Sequence, residues 1–119
     1  MMRTINDAQK LKTNEKLFIG KPLKEVLKEI KPEIKMVFAE PNRSHGAASF
    51  FMFRFIDLEE EKKYNKVGKR PLSVTIFVKE KFHWDKTDLP RSDQLKWTNS
   101  DKRKYQNLTV AYIRVYEGI

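Results

Sequence analysis

The chain contains no cysteine. That absence removes a disulfide framework, thiolate metal ligands and cysteine nucleophiles together. Histidine is scarce, with only His45 and His83, and glycine occurs four times in 119 residues. The spacings that chemistry needs are missing too: no His-Glu-x-x-His, no phosphate-cradling Gly-rich loop and no Gly-x-Ser-x-Gly. No apolar run approaches the ~20 residues of a membrane helix. Residues 1–20 mix charges throughout and hold no apolar signal core, which predicts a cytoplasmic chain; the doubled Met1-Met2 leaves room for an export signal removed upstream. Together these absences predict a protein that is not an enzyme and takes no cofactor or metal.

What is present begins with charge. Lys and Arg number 25 against 16 Asp and Glu, a net charge of +9. Much of the excess falls in residues 61–80, through Lys62, Lys63, Lys66, Lys69, Arg70 and Lys79. A basic excess fits an anionic partner, either nucleic acid or an acidic protein surface. It fits a lysine-rich solvated surface equally well, because the lysines alternate with glutamates over much of the chain. The length suits one domain, residues 1–119, able to bury roughly two-thirds of its unfolded surface without a metal or disulfide.

Periodicity predicts an α+β fold, with two N-terminal helices on one face of a four-stranded antiparallel sheet. Ile5, Ala8 and Leu11 suggest a short helix over residues 4–12. Pro22 opens a clearer one, whose Leu23, Val26, Leu27 and Ile30 recur at i, i+3, i+4 and i+7 before Pro32 stops it. Strands are expected at residues 35–40, 48–56, 72–80 and 108–116, with a turn at 42–46. Residues 57–70 are charged, with a helical turn in their first half. Residues 81–107 form a long insertion that carries both tryptophans, and Thr98 to Asp101 reads as a capping box opening a short helix.

Two resemblances attach to the region around Gly20. Leu17-Phe18-Ile19-Gly20, followed by Lys21-Pro22-Leu23, resembles the first ribonucleoprotein motif of an RNA recognition motif, although His45-Gly46-Ala47-Ala48-Ser49 lacks the aromatics of the second. Ile19-Gly20-Lys21-Pro22-Leu23-Lys24-Glu25-Val26-Leu27 is similar to the helix opening of small α+β protein-binding modules. These are the outer-membrane assembly lipoproteins and the β-lactamase-inhibitor-protein fold, and the segment also resembles a loose group of uncharacterised bacterial proteins. That likeness implies protein binding through a sheet and its loops. Lys31-Pro32 stands where those modules carry a glycine-proline turn.

Candidate reactive groups read as structural. His45 lies in Arg43-Ser44-His45-Gly46, a polar turn. His83, between Phe82 and Trp84, is expected at a core edge. Asp85, Asp88 and Asp93 have no calcium-loop spacing and are interrupted by Lys86 and Arg91.

Strand alternation yields one stronger candidate. With Leu72, Val74, Ile76 and Val78 inward, Ser73, Thr75, Phe77 and Lys79 point outward. With Thr109, Ala111, Ile113 and Val115 inward, Tyr112, Arg114 and Tyr116 point outward. Phe51, Phe53 and Phe55 take one face of the aromatic strand, and Phe50, Met52, Arg54 and Ile56 the other, outer one. The expected binding face is therefore Phe77, Tyr112, Arg114, Tyr116 and Arg54, joined by Phe50, Met52 and Lys79. Tyr, Phe, Met and Arg are enriched in protein interfaces, and a protein partner or a second copy of the chain is the leading expectation. Nucleic acid is the alternative, since aromatics can stack bases while arginines neutralise phosphates. The competing expectation is that the insertion, with Trp84, Leu89, Leu95 and Trp97, folds over this face.

Overall fold

The computed structural model describes residues 1–39, 47–84, 86 and 88–118. Helices α1 (Gln9–Thr13) and α2 (Leu23–Leu27) precede strands β1 (Met36–Phe38) and β2 (Ala47–Arg54). Helix α3 (Leu58–Lys66) leads to β3 (Ser73–His83), and α4 (Arg91–Gln94) and α5 (Asn99–Tyr105) lie ahead of β4 (Val110–Tyr116). Among the described residues the strands form one antiparallel sheet in the order β1-β2-β3-β4. The α+β arrangement is the expected one, with the N-terminal helices ahead of the sheet.

The elements differ from expectation chiefly at their ends. The first helix opens as a 3-10 turn at Ile5–Asp7, and a second such turn occupies Glu15–Leu17, where the RNA-binding likeness would place a strand. β3 runs on to His83. Residues 57–70 hold more than a single turn: Asp57 caps α3, its carboxylate accepting from Glu60 N at 2.9 Å while the Glu60 carboxylate accepts from Asp57 N at 3.3 Å. The box at Thr98 forms as read, with Asp101 N donating to the Thr98 hydroxyl at 3.1 Å and Thr98 N to the Asp101 carboxylate at 2.9 Å. The turn at 42–46, with His45, and Asp85 lie outside the described residues.

One sheet face carries the core. Leu23, Val26, Leu27 and Ile30 are all buried, as their spacing requires, together with Leu11 and Phe18. Toward β2 the core becomes aromatic. Phe51, fully buried, stacks on Phe82 at 4.5 Å between centroids, and Trp97 and Tyr105 approach it at 5.5 and 5.4 Å. Trp84 lies edge-on at 6.1 Å. The insertion therefore folds onto the inner face, and the expectation that it covers the outer face is corrected. A buried ion pair fixes its course: Lys86 Nζ donates to the Asp101 carboxylate and to Lys96 O, each at 2.5 Å. His83 is exposed rather than at a core edge, because alternation turns it away from buried Phe82 and Trp84.

The last strand corrects a second expectation. Phe77 pairs with Tyr112 but Val78 pairs with Val110, so Ala111 is an extra residue, a bulge. Val110 and Ile113 are both fully buried, and Val110 takes the inward place assigned to Ala111. Thr109 is not inward either: Glu80 receives its N–H at 2.7 Å and its hydroxyl at 2.6 Å.

Both sheet edges are occupied. At β4, Ile113 N donates to the Glu15 carboxylate at 2.6 Å, Val110 N to Lys21 O at 2.9 Å, and Gly20 N to Val110 O at 2.8 Å. At β1, Val37 N donates to Leu95 O at 2.7 Å.

Leu27→Ala is expected to cost about 2–5 kcal/mol, since it empties a buried site under the sheet; chemical denaturation reads it, and a loss well below 1 kcal/mol would refute the packing. A pH effect follows from Glu15. The Ile113 N–H, and then Lys12, hold its carboxyl below the ordinary value of 4.5. A carboxyl depressed in the folded state stabilises above its unfolded pKa, and that stabilisation is lost as pH falls through the folded value. Stability should decline as pH drops below about 4.5, and Glu15→Gln should make the decline shallower. An unchanged acid limb in the variant would exclude the contribution.

Candidate interaction face

Alternation places three rows of side chains on the outer sheet face. The first is Phe50, Phe77 and Tyr112, direct cross-strand partners on β2, β3 and β4. Phe77 stacks on Tyr112 at 4.2 Å and 12°, and meets Phe50 on its other side at 5.6 Å and 39°. Phe77 is thus stacked on Tyr112 and flanked at a tilt by Phe50. The second row is Phe38, Met52, Thr75 and Arg114. The third pairs Met36 with Arg54 on one side and Ser73 with Tyr116 on the other. The face grades from aromatic at one end to cationic at the other.

The expected set is brought together. Phe77, Tyr112, Arg114, Tyr116 and Arg54 all stand on this face with Phe50 and Met52. The Arg114 guanidinium sits 5.6 Å from the Phe77 ring centroid and 5.8 Å from that of Tyr112. Lys79 is exposed beside the β4 bulge, its N–H donating to Thr109 O at 2.9 Å. Tyr112 and Tyr116 are 38% and 36% exposed, so the face is open where the insertion was a rival cover.

Arg54 differs from Arg114. Its guanidinium pairs with the Glu61 carboxylate of α3, and the two side chains retain only 12% and 10% of their exposure. Arg54 Nε and Glu61 Oε2 are buried without partners, so only one prong of the fork is made. Burial, and then the charge of Arg70, push Arg54 below its ordinary value, but an arginine remains charged at neutral pH. The Glu61 carboxylate acts in the opposite sense.

Sequence reasoning missed Arg70 and Glu61. Arg70 precedes β3 in a charged loop, and nothing in its spacing shows that it reaches the sheet. Its guanidinium lies 5.4 Å from the Tyr116 ring centroid. The close approach of the C-terminal tail depends on Gly118, which has φ 86° and where a Cβ would stand 2.8 Å from Arg70 O. Arg54, Arg70 and Arg114 line a concavity of about 420 Å³ floored by Ser73 and Thr75, with Gln9 and Lys12 of α1 on its rim. Lys12 is paired with Glu15 at 3.0 Å.

No three His, Asp or Glu gather as a metal site among the described residues. Asp88 is exposed, and Asp93 pairs with Lys96 at 3.3 Å. No helix among the described residues is long and apolar enough to cross a membrane. Comparison with protein-family models, curated proteins and solved structures gave no match to this chain.

Because Tyr112 and Arg114 touch outer-face neighbours and not the core, Tyr112→Ser combined with Arg114→Ser should leave the fold intact. The expected loss is at most about 2 kcal/mol, the worth of one aromatic stack and an exposed cation–π contact. Thermal unfolding with the secondary-structure signal as readout checks this, and collapse of the fold would show the face to be core.

Proposed function

We propose that this chain is a non-enzymatic binding module that docks an acidic protein surface on its outer sheet face. The observation that carries the reading is the uncovered row Phe50–Phe77–Tyr112 with Arg114 beside it. Large aromatics at an open surface gain stabilisation when covered, and Tyr, Phe and Arg are the usual anchors of protein interfaces. The occupied edges support the face over strand addition, which needs a free edge.

Nucleic acid is the second reading, favoured by the convergence of Arg54, Arg70 and Arg114 and by the net charge of +9. Base stacking, however, needs free ring faces, and Phe77 is already stacked on Tyr112 with the Arg114 guanidinium over its ring. Self-association suits the face less, since a second copy would bring further arginines to it.

The test is affinity capture with the native chain and with the Tyr112→Ser, Arg114→Ser variant, with and without nuclease, the eluates identified by mass spectrometry. Specific proteins retained after nuclease and lost in the variant are expected. Identical capture by both chains, or loss on nuclease treatment alone, would overturn the proposal.

A further inference from the structure

Two concavities, of about 430 and 420 Å³, share Arg70 and Pro71 in their linings. They adjoin at these two residues as the two halves of a composite groove, one half reaching Tyr64 and Asn6 and the other Thr75 and Arg114. We propose that this groove recognises the carboxylates of an extended acidic peptide segment, with Arg70 and Arg114 as the recognising groups. The proposal rests on the protein-partner reading and names the chemistry of that partner.

The groove's cations are not equivalent. Lys12 is paired with Glu15, and Arg54 with Glu61. Arg70 and Arg114 have no salt bridge among the described residues, and each is held instead against an aromatic ring, at 5.4 Å for Arg70 over Tyr116 and 5.6 Å for Arg114 over Phe77. A guanidinium steadied by a ring keeps its charge and its fork of donors while losing part of the mobility that binding would otherwise have to quench. The pair is therefore set out in advance for planar, bidentate anions.

Two observations favour carboxylate over a phosphodiester chain. The groove's third arginine, Arg54, already holds a carboxylate, that of Glu61, which stands as an internal example of the contact. The walls also carry negative charge, since Glu117 lines the Tyr64 end. A uniformly charged backbone would be repelled at that point, whereas a peptide can place its acids only opposite Arg70 and Arg114. The placing of Arg70 between two adjoining concavities fits an extended segment better than a compact small molecule.

The experiment uses the full chain, a short peptide carrying two glutamates separated by neutral residues and an oligothymidylate of equal charge, titrated by fluorescence anisotropy at low and physiological salt. The peptide should bind more tightly than the oligonucleotide. Arg70→Gln and Arg114→Gln should each weaken it by about tenfold or more, the scale of one charge-assisted contact, while Lys102→Gln on α5 changes it by less than about threefold. Arg70→Lys, which keeps the charge but loses the fork, should recover only part of the loss. Tighter binding of oligothymidylate, full recovery by lysine, or equal effects of Arg70→Gln and Lys102→Gln would each overturn the proposal. If the groove variants leave the peptide unaffected while the Tyr112→Ser, Arg114→Ser variant still loses its captured protein, the carboxylate proposal fails and the protein-partner reading stands.

Discussion

The packing of Trp84, Trp97 and Tyr105 on Phe51 decides which side of this sheet is core. A four-stranded sheet has two faces, and this chain covers the inner one with its core and the outer one only at the Arg54 end, where α3 seats Glu61. α1 and α2 take the β4 side of the inner face, and the insertion takes the β2 side. Phe51 is the point at which the insertion commits, because its ring receives Phe82 on one side and the later aromatics around it. The Tyr105 hydroxyl closes the arrangement by donating to His83 O at 2.9 Å. Everything on the outer face is a consequence: rings that could have filled a second core layer are left at the surface.

Charge is used differently in the two layers. Lys86 is buried on the inner side, and its attraction to Asp101 there must offset the loss of water from both groups. Its value lies in direction: a buried ammonium satisfied by Asp101 and Lys96 O allows the insertion one path. On the outer side Arg70 and Arg114 lie against rings and remain in contact with solvent, which costs far less desolvation. The same kind of group is thus a fastener in one layer and an available donor in the other.

Much of this was legible in local pattern. The stripe Leu23, Val26, Leu27, Ile30 has a period that only a helix satisfies, and Thr98 with Asp101 names a helix start by its own chemistry. Alternation in β3 correctly separated Val74 and Ile76 from Thr75 and Phe77, and with them most of the open face. The Ala111 bulge was not legible, because register is a property of a strand pair and the clasp that fixes it, Glu80 on Thr109, spans 29 positions. The side taken by the insertion was equally hidden, since Trp84 and Trp97 are apolar enough to cover either face. α3 was underestimated because six of its nine side chains are charged and Leu58 and Tyr64 make no apolar stripe to read. Arg70 escaped notice because its role arises from Gly118 and Tyr116, far along the chain.

The filled edges bear on how the chain fails as well as how it folds. Ser49 to Phe55 is an aromatic-rich stretch of high strand propensity, relieved only by Arg54, and such a segment left on a free edge is a template for intermolecular sheet growth. In the folded chain β2 lies between β1 and β3, and the outermost strands have their ladders taken by Glu15, Lys21 and Leu95. Fraying at β4 leaves that stretch paired with β3, but β1 is short and covers only Met52 to Arg54, so its loss would bare that end of the stretch. The contact that holds β1 in place, Val37 N on Leu95 O, therefore guards solubility as well as fold.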